Sequence, residues 1–560
     1  MSYFPMCVDL AGRDCLVVGG GRIAAGKVHT LCSFGAKVTV IARDFPHGTA
    51  EFAAAQAPGH VVTRQRAFEE SDLTGMSAVV AATDDGALNE RIYHLCCFRQ
   101  IPVNVVDRKD LCTFMFPSVV KHDDLVISVS TGGNSPALAA YLRRKLEEYV
   151  PAVYGDINRR MGEARTYIHE ELTVAADRKA AFQELLDLML GERTLKIGTR
   201  TSDLALAQTD LFLQCLHVKF PDIRCEILPM KTLGDRLKDR PMKEMGGKGV
   251  FVEALEDALR DGTIDCAVHS AKDMSSSLPE DMRIACVLPR EDPSDVLVMK
   301  KRRDGAEMEP ERREDSSDGA VDVTGAQTVC GSGVVPVLPS MVIGTGSPRR
   351  EAQLKRRFPG CRVKNIRGNL PTRLKKLRDG EYDAIVLAAA GLVRAGLDRE
   401  DDLQYYPLPT EEMVPAGGQG TIAVESRSDR LAFLGILTDP DAALALETER
   451  RVLRRIAADC HDAVGVYARR ETDGRLRVDL WKARPSGTAP GNRNDAPDAP
   501  PEAASAAVDP ETAADENAAI YHVSRTAPAA EAAQLADEMA EDLIKWEEYP
   551  SSARVRGIRV

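Results

Sequence analysis

No apolar run in this chain approaches the ~18 residues that a membrane-spanning helix needs, so none is expected. Cysteine occurs thirteen times, but no CxxC pair is present, and the adjacent Cys96 and Cys97 cannot form the usual bridge. An odd, scattered set excludes a disulfide frame and fits reduced, cytoplasmic usage. Histidine and cysteine nowhere cluster at metal-ligand spacing, so no resident metal is expected. The first residues, MSYFPMCVDLAGRDCLVV, lack a basic stretch followed by an apolar one, so no signal peptide is expected. A global excess of positive charge is also missing. The formal net charge is −12 over 560 residues, which argues against a general nucleic-acid or membrane binder and makes any anion site local. The composition, 44 % hydrophobic and 28 % charged, is that of an ordinary soluble protein. The length calls for roughly three to five domains.

A local anion site is present. The stretch GTGSPRREAQLKRRFPGCRVKNIRGNLPTRLKKLRDG, from Gly344 to Gly380, holds twelve Lys or Arg against two acids, Glu351 and Asp379. Its single aromatic residue is Phe358, which leaves almost nothing for nucleic-acid bases to stack on. Lys355, Arg356, Lys375 and Lys376 alternate with Leu354, Leu374 and Leu377 at helical spacing and read as solvated helix faces.

The N-terminal part alternates short β-branched runs with helical patterns. Strands are expected at Cys15–Val18, Lys37–Ile41, Ala78–Ala82 and Pro102–Val106, a βαβ pattern that implies a parallel sheet. The first strand leads into VVGGGRIAAGK, which sets Gly19, Gly21 and Ala24 in a GxGxxA pattern at the start of a helix. Glycines there permit a tight turn and close approach of a pyrophosphate to the helix N-terminus, although the loop alone could be only a turn. Arg43 and Asp44 end the second strand. Asp44 suits a free ribose, whereas Arg43 suits a 2′-phosphate, which leaves NAD against NADP open. From about Ser135 to Glu192 apolar residues recur at helical spacing, as in a dimerisation or capping module.

With AATDDGALNERI, VNVVDRKDLCTFMFPSVV and ISVSTGGNSPALAAYLRRKLE following in order, residues 1–190 resemble the N-terminal half of siroheme synthase. That family oxidises precorrin-2 with NAD, and some members also insert Fe²⁺ as a substrate. The resemblance implies a homodimer through this half. It places Gly19, Gly21, Arg22, Ile23, Arg43 and Asp44 at the dinucleotide and Asp107 on the catalytic carboxylate. A carboxylate at the end of a parallel strand faces the cofactor crevice and can take a proton as hydride leaves. Thr131 either faces substrate or turns the chain. Dehydrogenase-only relatives share these motifs, so iron insertion is not distinguished.

A second start follows at LKIGTRTSDLALAQ. Then come GGKGVFVEALEDAL, VHSAKD, PREDPSDVLV, IGTGSPRREAQL, IRGNLPTRLKKL, YDAIVLAAAGLVRAG and PAGGQGTIAVE. This ordered set closely resembles hydroxymethylbilane synthase, also called porphobilinogen deaminase. The resemblance implies a two-domain unit like a periplasmic binding protein and a small α+β third domain. It makes Cys460 the thioether anchor of a covalent dipyrromethane and Asp273 the catalytic carboxylate. Lys272, Thr345, Ser347, Arg349, Arg350 and Arg373 then fall on cofactor contacts, and Arg200, Ser202, Arg367, Arg394 and Gln419 on substrate contacts. Departures stand beside these matches. Ala458 and Asp459 replace a usual glycine pair before Cys460, and His461 and Asp462 follow it. Glu244 replaces a common lysine while Lys248 is kept, and Gly346 and Pro348 replace serine and leucine.

The fold expected is thus multidomain α/β. A Rossmann-like domain takes 1–113 and a helical dimerisation module 114–193. Deaminase domain 1 takes 194–300 with 415–440, domain 2 takes 338–414, and domain 3 takes 441–560. Disordered inserts are expected at 301–337 and 484–517, where Pro, Ala, Gly, Ser and charge dominate. The function expected is a fused enzyme of tetrapyrrole synthesis acting on porphobilinogen and precorrin-2, cytoplasmic, without nucleic acid or membrane as partner. Its halves would not act consecutively: the bilane must first be cyclised and methylated twice, and no segment here resembles a cyclase or methyltransferase. The alternative is an NAD-responsive sensor fused to a non-catalytic polyanion-binding module.

Overall fold

The structure, a computed structural model, describes residues 4–48, 61–230, 253–301, 328–330, 333–335, 337–458, 462–484 and 520–548. The chain divides into two compact units, Met1–Arg159 and Arg160–Val560.

In the first unit, β1 (Asp14–Val18), β2 (Lys37–Ala42), β3 (Val61–Gln65), β4 (Ala78–Ala81) and β5 (Val103–Val105) form one parallel sheet in the order β3-β2-β1-β4-β5. Helices α1 (Arg22–Ser33) and α2 (Gly86–Phe98) complete the crossovers. Cys15 to Val18 of β1 are buried without a break, because both faces of the sheet are covered. Val17, Val28 and Val40 pack on one face, and Leu16, Val18 and Ile92 on the other. The strand order reverses between β1 and β4, so the crevice for a ligand opens at their C-terminal ends. The four expected strands are present within a residue or so. The fifth, β3, carries the half-polar sequence VVTRQ on the sheet edge, where burial imposes no clean apolar pattern. A hairpin, β6 (Ser118–His122) with β7 (Leu125–Val129), precedes α3 (Pro136–Tyr149) and α4 (Val153–Glu171).

The division between units falls inside α4, and α5 (Ala175–Met189) belongs to the second unit. The sequence reading had placed 114–193 in one module. The reason for the difference is Glu184 of α5. Its buried carboxylate accepts hydrogen bonds from Arg193 (2.7 Å), Arg430 (2.7 Å) and the Leu431 amide (3.0 Å), beside fully buried Leu185 and Leu188.

Two five-stranded sheets follow. The first contains β8 (Leu195–Arg200), β9 (Cys225–Met230), β10 (Cys266–Ser270), β11 (Met282–Val287) and, from far downstream, β19 (Ile422–Arg427). The second contains β12 (Asp295–Lys300), β15 (Val342–Gly344), β16 (Arg362–Lys364), β17 (Ala384–Ala388) and β18 (Leu403–Leu408). The chain therefore crosses between lobes twice, after β11 and again after β18. Residues 295–300 were expected with the first lobe, but β12 pairs with β17 and β18 of the second. Helices α6 (Asp203–Lys219), α7 (Glu253–Arg260), α8 (Pro348–Arg357), α9 (Leu370–Arg378) and α10 (Ala389–Arg394) lie between these strands in the chain.

The third domain is an antiparallel sheet of β20 (Val464–Arg470), β21 (Arg475–Ala483) and β22 (Ile520–Pro528), packed on α11 (Pro440–Arg455) and α12 (Ala532–Glu548). Residues 302–327 and 485–519 of the two expected inserts lie outside the described residues. The first insert ends earlier than expected. A short hairpin, β13 (Thr328–Cys330) with β14 (Gly333–Val335), lies within it, and Val335 and Val337 are buried against Ile343 and Leu354.

Candidate functional site

The first unit builds a nucleotide-type crevice at the end of β1. Gly19 has φ +134°, and a Cβ there would lie 2.2 Å from the Ala82 carbonyl oxygen, so only glycine fits. At Gly21 nothing lies within 4 Å of such a Cβ. That side is open to a ligand, and Gly21 is also the N-cap of α1 with no side-chain cap. Arg22 and Ile23 are exposed in the first helical turn, which carries no acid to oppose an anion. Arg43 and Asp44 follow β2, and Asp44 Oδ1 accepts from the Phe45 amide at 2.8 Å.

Asp107 stands two residues beyond β5, exposed and with φ +61°, a strained backbone for a non-glycine residue. The turn that presents it is tied by Cys112. The buried thiol lies 3.2 Å from both the Val105 and Arg108 carbonyl oxygens and 3.3 Å from the Val105 amide. Lys27 of α1 enters the same neighbourhood with its Nζ 4.3 Å from the Phe116 ring centroid. Burial lowers the Lys27 ammonium, while Cys112 and Asp107 draw it back up. Sequence reasoning missed Lys27, although it closes the quoted motif GGGRIAAGK. Thr131 turns the chain: its hydroxyl donates to the Ser135 carbonyl at 3.0 Å.

In the second unit the functional side chains sit at strand ends and helix starts. Arg200 ends β8, and Ser202 caps α6 by accepting from the Ala205 amide at 3.3 Å. Lys272 and Asp273 lie in the single 3₁₀ turn after β10, Lys272 half-buried and Asp273 exposed. In the other lobe Thr345 is buried and accepts from the Ser347 amide at 3.1 Å, and Ser347 caps α8. Arg349 and Arg350 occupy the first turn of α8 and are both buried. Arg367 precedes α9, and Arg373 within α9 donates to the Gly368 carbonyl at 2.8 Å.

The two lobes bring these groups within electrostatic reach of one another. Burial lowers the Lys272 ammonium to about 8; Arg350 and Arg349 push the same way, and Asp273 and Asp295 oppose. Arg373 is lowered by burial and by Arg350, with Asp273 opposing. Lys272 and Asp273 from one lobe thus converge with Arg349, Arg350 and Arg373 from the other. Arg394 donates to the Gly420 carbonyl at 2.6 Å, and Gln419 is enclosed, its amide donating to the Pro293 carbonyl at 2.7 Å and Asp295 Oδ1 at 2.8 Å. Cys460, with Asp459 and His461, lies outside the described residues, as do Glu244 and Lys248.

Two acids at this site escaped the sequence reading. Asp295 sits in the quoted PREDPSDVLV but drew no role. Glu449 of α11, fully enclosed, accepts from the Gly418 amide (2.6 Å), the Ala468 amide (2.7 Å) and Arg290 Nη1 (2.7 Å). Gly418 in turn abuts the turn that holds Lys272 and Asp273, because a Cβ there would lie 2.9 Å from Lys272 N. Only the fold assembles the partners of either acid, which come from distant parts of the chain.

Comparison with known proteins gives three family matches. The profile of the dipyrromethane-cofactor-binding domain of porphobilinogen deaminase matches residues 195–434. An NAD(P)-binding profile matches 6–118, and the profile of the central part of sirohaem biosynthesis proteins matches 123–149. Among curated relatives, the Archaeoglobus fulgidus protein named "Probable porphobilinogen deaminase" is 41 % identical over 51 % of this chain and 86 % of its own. The porphobilinogen deaminase of Chromobacterium violaceum is 39 % identical over 52 % of this chain and 85 % of its own. A solved structure, SirC, precorrin-2 dehydrogenase, is 27 % identical with a TM-score of 0.28, covering 33 % of this chain and 90 % of that one.

Proposed function

The chain belongs to the porphobilinogen deaminase family, and from that premise we propose that its part from residue 195 onward deaminates porphobilinogen and joins four molecules head to tail into hydroxymethylbilane. The observation that carries this reading is the convergence of Lys272 and Asp273 with Arg349, Arg350 and Arg373. Each porphobilinogen brings an acetate and a propionate, so the growing product is a polycarboxylate. Guanidinium forks bind carboxylates bidentately and stay charged, which suits them to hold it. Loss of ammonia from the substrate leaves a carbon-centred cation conjugated to the pyrrole. The exposed Asp273 carboxylate stabilises that cation and takes the ring proton that each coupling releases.

A dipyrromethane bears the same acid arms, and the residues fit it. Arg349 Nε is buried without an acceptor among the described residues, a donor left for a carboxylate. Lys272, Thr345, Ser347, Arg349, Arg350 and Arg373 would hold its arms, with Cys460 as its covalent anchor. When bound, it supplies the pyrrole end to which the first substrate is joined.

The N-terminal unit oxidises precorrin-2 to sirohydrochlorin in this reading. The crevice fits NAD: Gly19 leaves no space for a side chain, Gly21 is open, and the α1 N-terminus faces an anion without an acidic neighbour. When bound, NAD accepts the hydride. Asp107 takes the proton, on a turn that Cys112 holds. The same carboxylate could receive pyrrole N–H protons before Fe²⁺ enters as a substrate, and an assay with sirohydrochlorin and Fe²⁺ decides that step. On α3, Leu138, Tyr141 and Leu142 are 40–51 % exposed, and Tyr149 is 78 % exposed. We read this row as the face that a second copy covers, and the place of action as the cytoplasm. No described helix is long and apolar enough to cross a membrane.

Intact mass tests the deaminase reading. Purified protein should exceed its sequence mass by one dipyrromethane, and Cys460→Ser should remove the excess. Unmodified protein inert toward porphobilinogen would instead favour a non-catalytic polyanion module.

A further inference from the structure

We propose that Asp295 is the positioning residue of the deaminase cleft: from the first residue of β12 it fixes the planes of Arg349 and Arg350, and Gln419 fixes Asp295. The inference rests on the porphobilinogen deaminase reading and deepens it, because it assigns two residues to orienting the carboxylate-binding pair.

The contacts are specific. Arg350 donates from Nε (3.1 Å) and Nη2 (2.8 Å) to Asp295 Oδ1. Arg349 Nη2 lies 2.8 Å from Asp295 Oδ2. The backbone fixes the far edges: Arg349 Nη1 donates to the Val414 carbonyl at 2.7 Å, and Arg350 Nη1 to the Val386 carbonyl at 3.1 Å. Asp295 is fully enclosed. Burial alone would raise its carboxyl, yet Arg349 and Arg350 hold it far below the usual carboxylate range. It is therefore an anion at every working pH.

A single buried anion between two guanidiniums has two effects. It stops neighbouring like charges from splaying apart, and it leaves the cluster with a net positive charge for ligand. Bidentate carboxylate recognition needs the fork held within about 10–20° of its productive plane. Arg350 is hydrogen-bonded on both edges, by Asp295 and the Val386 carbonyl, while Arg349 is hydrogen-bonded by the Val414 carbonyl and ion-paired with Asp295. The donor left over on Arg349 is Nε, which has no acceptor among the described residues.

Gln419 completes the brace. Asp295 follows the first crossover between lobes, and Gln419 lies in the second, just before β19. The amide of Gln419 joins them through Asp295 Oδ1 and the Pro293 carbonyl. Gln419 is therefore assigned here to holding Asp295 rather than to touching substrate, as the sequence reading had it.

The test uses full-length Asp295→Asn and Gln419→Met with three readouts: intact mass, KM and kcat for porphobilinogen, and NAD-dependent oxidation of precorrin-2 by the other unit. Asp295→Asn should retain precorrin-2 oxidation while the dipyrromethane-loaded fraction falls to roughly a tenth or less. Gln419→Met should load normally and raise KM roughly ten-fold with kcat nearly unchanged, a split that general destabilisation does not produce. Full loading of Asp295→Asn with unaltered KM overturns the proposal. If that variant does not fold, Gln419→Met decides, and an unchanged KM overturns it. Wild-type protein without the added mass would overturn the deaminase reading, and this inference with it.

Discussion

Replacing Glu449 by alanine should loosen the third domain from the rest of the deaminase unit. The carboxylate is fully enclosed and accepts the Gly418 and Ala468 amides and the Arg290 guanidinium. Its removal leaves the largely enclosed Arg290 without its counter-charge and strands two backbone donors. Breaking a buried ion pair by deleting one partner costs about 3–5 kcal/mol. Arg290 keeps the Gln419 carbonyl at 2.9 Å and sits 4.9 Å from the Tyr467 ring centroid, which places the loss nearer 3 than 5. The chain has two tryptophans, Trp481 and Trp546, both buried in the third domain, so their fluorescence reports on that domain alone. With a urea slope of about 2 kcal/mol per molar, the fluorescence midpoint should fall by roughly 1.5 M. Asp441→Ala removes an exposed pair with Arg470 and should move it by roughly 0.3 M or less, serving as the control. Because Gly418 abuts Lys272, the same variant should also lose porphobilinogen turnover before its unfolding transition. A Glu449→Ala midpoint within about 0.3 M of wild type would refute the claim that this carboxylate joins the domains.

Asp107→Ala should lower NAD-dependent oxidation of precorrin-2 by roughly 10²–10⁴-fold while leaving porphobilinogen turnover intact; undiminished oxidation places the base elsewhere. KM for porphobilinogen should rise as pH passes about 8, because the Lys272 ammonium is charged below that pH and neutral above it. Lys272→Arg, charged throughout, should flatten that rise, and a KM profile identical to wild type would remove Lys272 from carboxylate binding. Gly19→Ala should unfold the N-terminal unit at lower temperature and abolish its NAD binding, since the new methyl would meet the Ala82 carbonyl and the backbone φ of +134° disfavours it.

The legible parts of the fold were those where one local rule decides. Cys15–Val18 of β1 is a continuous apolar run buried on both faces, and Gly19 follows from a turn that excludes a side chain. Lys272, Asp273, Arg349 and Arg350 were named through the ordered motifs of the resemblance, and the structure sets them at a strand end and at a helix start. Asp295 and Glu449 were not legible, because their partners lie far apart in the chain: Asp295 meets Arg350 and Gln419, and Glu449 meets Arg290 and Ala468. The helix α5 was misplaced for the same reason, since its allegiance is set by Arg430 and Leu431.

The basic stretch from Gly344 to Gly380 shows why a local charge count is a poor guide to a ligand. Arg357 pairs with Glu412, Lys355 with Glu351, Lys375 with Asp379, and Arg378 with Glu400 and Asp402. Those are half-buried or exposed pairs whose attraction is largely screened by water. Arg349 and Arg350 also have an acidic partner, but it is shared: one enclosed carboxylate serves two enclosed guanidiniums. An excess of positive charge held away from solvent attracts a carboxylate more strongly than the same charge on a helix surface, because the surrounding dielectric is lower. Burial and a shared acid, rather than the number of arginines, therefore set Arg349 and Arg350 apart from the ten other cations of this stretch.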